Sequence, residues 1–269
     1  MIKNDEILFP AGAEISVIPV LQGDGLPKID ESELPGTLPI LALRNVVLFP
    51  GTVFPVTIGR EKSRRLIEDA EKHGDFIGAV PQIDVNVEEP GIEDLYRFGT
   101  AAKVIKTLEM PDGTITAILQ GIKRIELLNV LDYDPYIKGM VRYLDDVLTK
   151  ENTADLKGIA SMVKEKAAQI MASSGIAAKE SIAAMRTIDS FPFLVNFIAT
   201  SVEVENFEGK MDLLQYDDIR SRAMKLLEIL DGQIQLTKLK QEINLKVKQE
   251  IDQQQREYYL NNQLRTIQE

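Results

Sequence analysis

The chain has no cysteine, no tryptophan and one histidine among its 269 residues. Without cysteine it can form no disulfide, no zinc–thiolate site and no thiol nucleophile, and it suits a reducing compartment. His73 falls where a helical pattern meets Gly74, the position of a histidine bonded to the last helix carbonyls rather than of a catalytic base. There is no Gly-x-Ser-x-Gly elbow, and no phosphate loop, since Gly209-Lys210 is followed by Met211 and lacks the upstream glycine. No apolar run reaches the roughly 18 residues a membrane span needs. The start, Met1-Ile2-Lys3-Asn4-Asp5-Glu6, is acidic and carries no leader-like apolar core. These absences describe a soluble, cytoplasmic stretch with no catalytic, cofactor or metal site of its own.

What is present is charge and enough apolar material for a core. Hydrophobic residues make up 44%, and 42 acidic against 31 basic residues give a net charge of −11. That balance repels phosphate backbones over most of a surface. Asp84, Glu88, Glu89, Glu93 and Asp94 gather acid in one stretch, but Pro90-Gly91 interrupts them and calcium-loop spacing is absent, so a solvated acidic face is expected.

The punctuation divides the chain. Residues 1–36 carry seven acids, two lysines and scattered Gly and Pro, which reads as an acidic, flexible extension. Residues 37–147 read as β. Val46–Phe49 and Val53–Ile58 are strand-like runs separated by Pro50-Gly51. A helix is expected from Glu61 to Lys72, and Thr100–Met110 with Thr114–Gln120 form a hairpin around Pro111-Asp112-Gly113. Ile122–Leu131 and Tyr136–Leu144 add strands, and the set suggests a small, partly closed barrel. From 153 to 230 the period becomes helical, through Ile159, Val163, Ala167 and Ile170, then Ile182, Met185 and Ile188, then Phe191-Pro192 onward, then Ile219, Ala223, Leu226 and Leu230. Gly232 marks a hinge. Residues 231–269 form a long helix with neither Gly nor Pro from Gln233 onward, about 55 Å at 1.5 Å per residue. Its apolar stripe, Leu236, Leu239, Ile243, Val247 and Ile251, is too narrow for a core helix and suits weak self-association. No cap closes this helix, so it is expected to be cut short at Glu269.

Four segments in order carry a family resemblance. Leu38-Pro39-Ile40-Leu41-Ala42-Leu43-Arg44-Asn45-Val46-Val47-Leu48-Phe49-Pro50-Gly51, with Pro55 and Ile58-Gly59-Arg60-Glu61-Lys62-Ser63, resembles the opening of the amino-terminal region of the Lon ATP-dependent protease family. Asp94-Leu95-Tyr96-Arg97-Phe98-Gly99-Thr100 and Pro111-Asp112-Gly113-Thr114 continue the match, and Gln255-Arg256-Glu257-Tyr258-Tyr259-Leu260-Asn261 with Ile267-Gln268 resembles the helix leading to that family's motor. The resemblance implies an α+β architecture: a PUA-like small β-barrel, an α-helical bundle and a long C-terminal helix. It further implies a homohexameric ATP-dependent serine endopeptidase, using ATP and Mg, that degrades misfolded and regulatory proteins in quality control and stress response. The motor and peptidase would lie beyond Glu269. Residues 1–36 have no counterpart, and Met171–Lys179 matches poorly.

On this reading the fragment recognises unfolded or damaged proteins and assembles with itself. Binders of varied chains display apolar and Met-rich surface. The candidates are Phe49, Val53 and Phe54 in the barrel and Phe191, Phe193, Phe197 and Met185 in the bundle, with Met162 and Met171 beside them; each is equally a candidate core residue. An alternative stays open, an RNA-binding PUA-like module using Arg60, Lys62, Arg64, Arg65, Lys103, Lys106, Lys123 and Arg124, against which the acidic balance counts.

Overall fold

A computed structural model describes residues 34–110, 113–148, 153–172 and 176–268. The expected acidic extension lies outside the described residues up to position 33. Six strands come first: β1 (Thr37–Leu43), β2 (Val53–Ile58), β3 (Phe76–Pro81), β4 (Phe98–Glu109), β5 (Ile115–Asp132) and β6 (Lys138–Leu144). Their order is β2-β5-β4-β3-β1-β6, and a further β5–β6 pairing closes the ring into a barrel. β1 runs parallel to β3 and the other pairs are antiparallel. Closure depends on the length of β5. Its first part, from Ile115 to Gln120, pairs with β2, and its last part, from Arg124 to Asp132, pairs with β6.

Between β2 and β3 lies α1 (Glu61–His73), whose Leu66, Ile67 and Ala70 are buried against the barrel. Gly74 ends it in the left-handed region at φ 70°, donating its N–H to the Ala70 carbonyl, and His73 Nδ1 lies 2.8 Å from the Asp69 carbonyl as its helix-end position predicts.

Two strand expectations change. Val46–Phe49 is not a strand but part of a loop between Asn45 (φ 53°) and Gly51 (φ 79°). Its carbonyls are satisfied by side chains instead of a ladder: Thr100 Oγ1 donates to Leu48 O at 2.6 Å and Thr52 Oγ1 to Phe49 O at 2.7 Å. The alternation survives, because Leu48 enters the barrel core while Val47 and Phe49 enter the bundle core. The two strands expected on either side of Gly121 are one continuous strand, β5. Gly121 is there for contact: a Cβ on it would stand 2.2 Å from Phe49 O, and its N–H and C=O bond Thr52 O and Gly51 N, each at 2.9 Å.

The bundle comprises α2 (Thr153–Met171), α3 (Ile176–Thr187), α4 (Phe191–Ser201), α5 (Phe207–Asp212) and α6 (Ile219–Gln268). α4 is its centre, with every side chain from Phe193 to Thr200 buried. Around it pack Val163 and Ala167 of α2, Met185 of α3, and Ala223, Leu226 and Leu230 of α6. The long helix therefore starts twelve residues before the boundary expected at 231, and it continues through Gly232 without a break. Its first three turns belong to the bundle core, whereas residues 238–258 are exposed throughout. Among the described residues no helix is long and apolar enough to cross a membrane.

The close approach at Gly121 generates a prediction. Gly121→Ala should lower stability by about 1–3 kcal/mol, because the added carbon meets backbone that cannot swing aside. A urea denaturation curve superimposable on the parent's would show that the loop yields freely.

Candidate functional site

The barrel and bundle are joined by an apolar plug and a polar clasp. The plug is Val47 and Phe49, seated among bundle residues, with Asn196 Nδ2 of α4 donating to Pro50 O at 3.1 Å. The clasp is built on two arginines, each with a side chain only 1% exposed. Arg124 of β5 donates through Nε to Asp146 Oδ1 (3.1 Å), through Nη1 to Leu214 O (2.8 Å), and through Nη2 to Asp145 O (2.8 Å) and Asp217 Oδ1 (3.0 Å). Arg222 of α6 donates to Tyr216 O through Nε at 3.0 Å and to Asp146 Oδ1 through Nη2 at 2.6 Å. Burial pulls the proton affinity of Arg222 below that of a free arginine, and its bond to Asp146 opposes the shift. Beside the clasp, Val147 N donates to Asp217 O (2.8 Å) and Ile219 N to Val147 O (3.1 Å), so the chain leaving the barrel pairs with the chain entering α6.

This arrangement corrects several site expectations. Phe49, Phe193, Phe197, Met185 and Met171 are buried in one shared core, and Val53 is buried in the barrel. The first five fill the join and the bundle interior and Val53 lies within β2, so none offers surface to another chain. Phe54 and Phe191 are half-buried, each packed against a core, while Met162 is exposed. The expected basic patch is dispersed. Arg124 is buried in the clasp, Arg64 pairs with Glu68, Arg65 with Glu61, Lys62 with Glu89 and Lys123 with Asp145, and Lys103 lies over the Phe76 ring. Local acids neutralise most of these cations, which removes the case for a phosphate-tracking face.

Two adjoining recesses, of about 490 and 420 Å³, flank the start of α1 and share Ala42, Gly59, Arg60 and Ser63. The smaller lies between β1 and the outer edge of β2, a strand that among the described residues pairs with β5 alone and carries Pro55, as edge strands do. The larger has an apolar floor of Ile40, Ala42 and Leu66 under a rim of Lys62, Glu88 and Glu89. Its polar groups are held by one another: Arg60 donates to Gln82 Oε1 (2.6 Å) and Val87 O (2.9 Å), and Glu88 pairs with Arg44. Burial first, and Arg44 next, lower the proton affinity of Arg60, while Glu88 opposes them. Such a recess can hold apolar side chains over its floor, while Lys62 and Glu89 on its rim pair with each other at 3.0 Å. Two further acids of the 84–94 stretch have local work, with Asp84 accepting from Asn86 N and Asp94 from Gly91 N.

On α6, Leu239, Ile243, Val247 and Ile251 are each about half exposed and Leu236 is partly covered, so the stripe read from the sequence lies open along the helix. A surface the residue pattern did not reveal lies on β5 and β6, where Leu128, Leu131 and Met140 are exposed near the ion pairs of Glu126 with Arg97 and Arg142.

The family model described as the ATP-dependent protease La (LON) substrate-binding domain matches residues 37–232, the barrel and the bundle together. The Lon protease of Flavobacterium johnsoniae is 39% identical over 257 residues, covering 96% of this chain and 31% of that protein. The Lon protease of Porphyromonas gingivalis is also 39% identical, over 94% of this chain and 30% of that protein. The chain thus spans under a third of the relatives it matches. Among solved structures, the N-terminal domain of a Mycobacterium avium complex Lon protease superimposes with a TM-score of 0.59 at 16% identity, covering 72% of this chain and 98% of that one, which is a likeness of fold.

The clasp yields a graded prediction. Asp146 serves both arginines and is 27% exposed, whereas Asp217 serves Arg124 and is 54% exposed. Asp146→Ala should cost about 3 kcal/mol by leaving buried guanidinium charge uncompensated, and Asp217→Ala about 1 kcal/mol or less. Equal shifts in the two unfolding midpoints would contradict this account of the clasp.

Proposed function

Because the chain belongs to the Lon protease family, of which it matches the substrate-binding domain, we propose that it recognises unfolded, damaged and regulatory proteins for a cytoplasmic ATP-dependent serine protease. The observation that carries this reading is the match of that domain across the barrel and bundle as one joined body. ATP and Mg serve a motor, and a serine nucleophile serves a peptidase, in parts of the protein other than this one. The chain itself supplies contact surface: the recesses beside α1 and the exposed apolar residues of the barrel.

Contact with a flexible chain must offset that chain's ordering entropy, so one copy should bind denatured protein with a dissociation constant on the order of micromolar or weaker. Six copies presenting their surfaces together would raise the apparent affinity by effective concentration alone. Photo-crosslinking a denatured protein to the 269-residue chain should map to residues 37–232 and fade when the same protein is refolded. Crosslinks no stronger than those of the folded control would refute the recognition role.

The long helix supplies the assembly part of the proposal. Its half-exposed Leu239, Ile243, Val247 and Ile251 provide about two usable heptads, short of the three or four that a stable coiled coil needs. Light scattering should therefore detect weak, concentration-dependent self-association that disappears when residues 233–269 are removed. A hexamer of the fragment that persists at nanomolar concentration would show that the seam is stronger than its burial allows.

A further inference from the structure

The inward alternation of β5 is broken twice near its end. Leu127 pairs with Val141 and Val130 with Gly139, but the register slips between Leu127 and Asn129 and again between Val130 and Asp132. Each slip is a bulge, which places one extra residue on β5 opposite the same stretch of β6. The extra residues are Leu128 and Leu131, 46% and 52% exposed. Met140, opposite Asn129 on β6, is 43% exposed. Ile125, Leu127 and Val141 already fill the interior beneath, so the barrel core has no use for these three side chains.

The neighbouring rung towards the bundle is charged. Glu126, with a side chain 2% exposed, receives both Arg97 and Arg142, whose side chains are 70% and 63% exposed. One carboxylate between two guanidiniums leaves a positive charge, held in place on the surface of a protein whose net charge is −11. Each guanidinium has five N–H donors in a planar fork suited to carboxylates, more than Glu126 can accept.

We propose that this outer face of β5 and β6 binds an extended protein segment in which apolar residues lie beside an acidic one. Leu128, Leu131 and Met140 receive the apolar side chains, and Arg97 and Arg142 receive the carboxylate. The proposal deepens the recognition role and rests on it. Between Arg142 and Lys138 the ribbon runs about 13 Å at 3.3 Å per residue, the reach of a short extended segment. Three half-exposed side chains offer on the order of 300 Å², below the roughly 500 Å² per partner that a stable interface between folded copies buries. A transient, extended occupant fits that area, and the fixed positive charge selects an acidic one.

The test uses the whole chain and two labelled peptides with the same apolar residues, one ending in Asp-Glu and the other in Lys-Arg, read by fluorescence anisotropy at low salt. The unaltered chain should prefer the acidic peptide by about tenfold. Leu128→Asn with Leu131→Asn should weaken both peptides about fivefold or more, and Arg142→Gln should remove most of the preference. Met140→Ser should weaken both peptides as well, and it stands in for the leucine variant if circular dichroism shows that one unfolded. A folded leucine variant that binds both peptides as tightly as the parent overturns this site and leaves the recognition role intact. A parent that binds neither peptide yet crosslinks to denatured protein does the same, whereas failure of that crosslinking sinks the recognition role itself. A leucine variant that changes the oligomeric state with peptide affinity untouched makes a second copy the occupant and overturns the proposal.

Discussion

The loop between β1 and β2 belongs to two cores at once, and the joining of barrel to bundle depends on it. Val47 and Phe49 point into the bundle and Leu48 into the barrel, so neither hydrophobic cluster is complete without the loop's backbone lying between them. A buried loop is costly unless its polar groups find partners. Here Thr52, Thr100 and Asn196 take the carbonyls of Phe49, Leu48 and Pro50, and Gly121 lets β5 approach closely enough to bond Gly51 and Thr52. Apolar seating alone would tolerate sliding. The clasp does not, because a guanidinium bonded at once to Asp146, Asp217 and the Leu214 carbonyl has one orientation that satisfies all three.

The same loop shows where sequence reading stops. An alternating apolar run flanked by Pro-Gly has the signature of a half-buried strand, and Val46–Phe49 carries it. What overrides the pattern is the positive φ at Asn45 and Gly51 and three side-chain donors distant in sequence, none visible in a short window. Gly121 misleads in the opposite sense, since a glycine between apolar runs reads as a break, yet here it marks the closest backbone approach within an unbroken strand. β3 gives no such signal, because Phe76–Pro81 is buried on both faces and so shows no period of two. Local chemistry was legible where it is self-contained: α1 with its Gly74 cap, the turn at Gly113 and the amphipathic spacing of α2 needed no distant partner.

The candidate site was less legible than the fold, for a related reason. Aromatic and methionine side chains that bind varied partners and those that fill a core are the same residues. Phe49, Phe193, Phe197 and Met185 satisfy both descriptions until the structure buries them. Arg124 likewise reads as surface charge in the sequence, though its side chain is as enclosed as that of Arg222, its partner in the clasp. One signal was present and unread. Along β5 the inward residues are Ile125, Leu127 and Val130, a step of two followed by a step of three. A lengthened step in an alternating strand is the mark of a bulge, and Leu128 is the residue displaced outward by this one.

The roots of α6 tie these features together. Arg222 stands one turn into the helix and anchors it to the strand exit at Asp146, while Leu226 and Leu230 bury the next two turns against α4. Helical hydrogen bonding then continues through Gly232, at a propensity cost of about 1 kcal/mol relative to alanine, which the packed turns before it and the Lys240–Glu205 ion pair after it help to offset. The direction in which the exposed half of the helix leaves the body is therefore set by the contacts that hold barrel to bundle. Anything carried on that helix has its position relative to the outer face of β5 and β6 fixed through Arg124, Asp146 and Arg222, so the clasp couples the surface offered to other chains to the element that extends away from it.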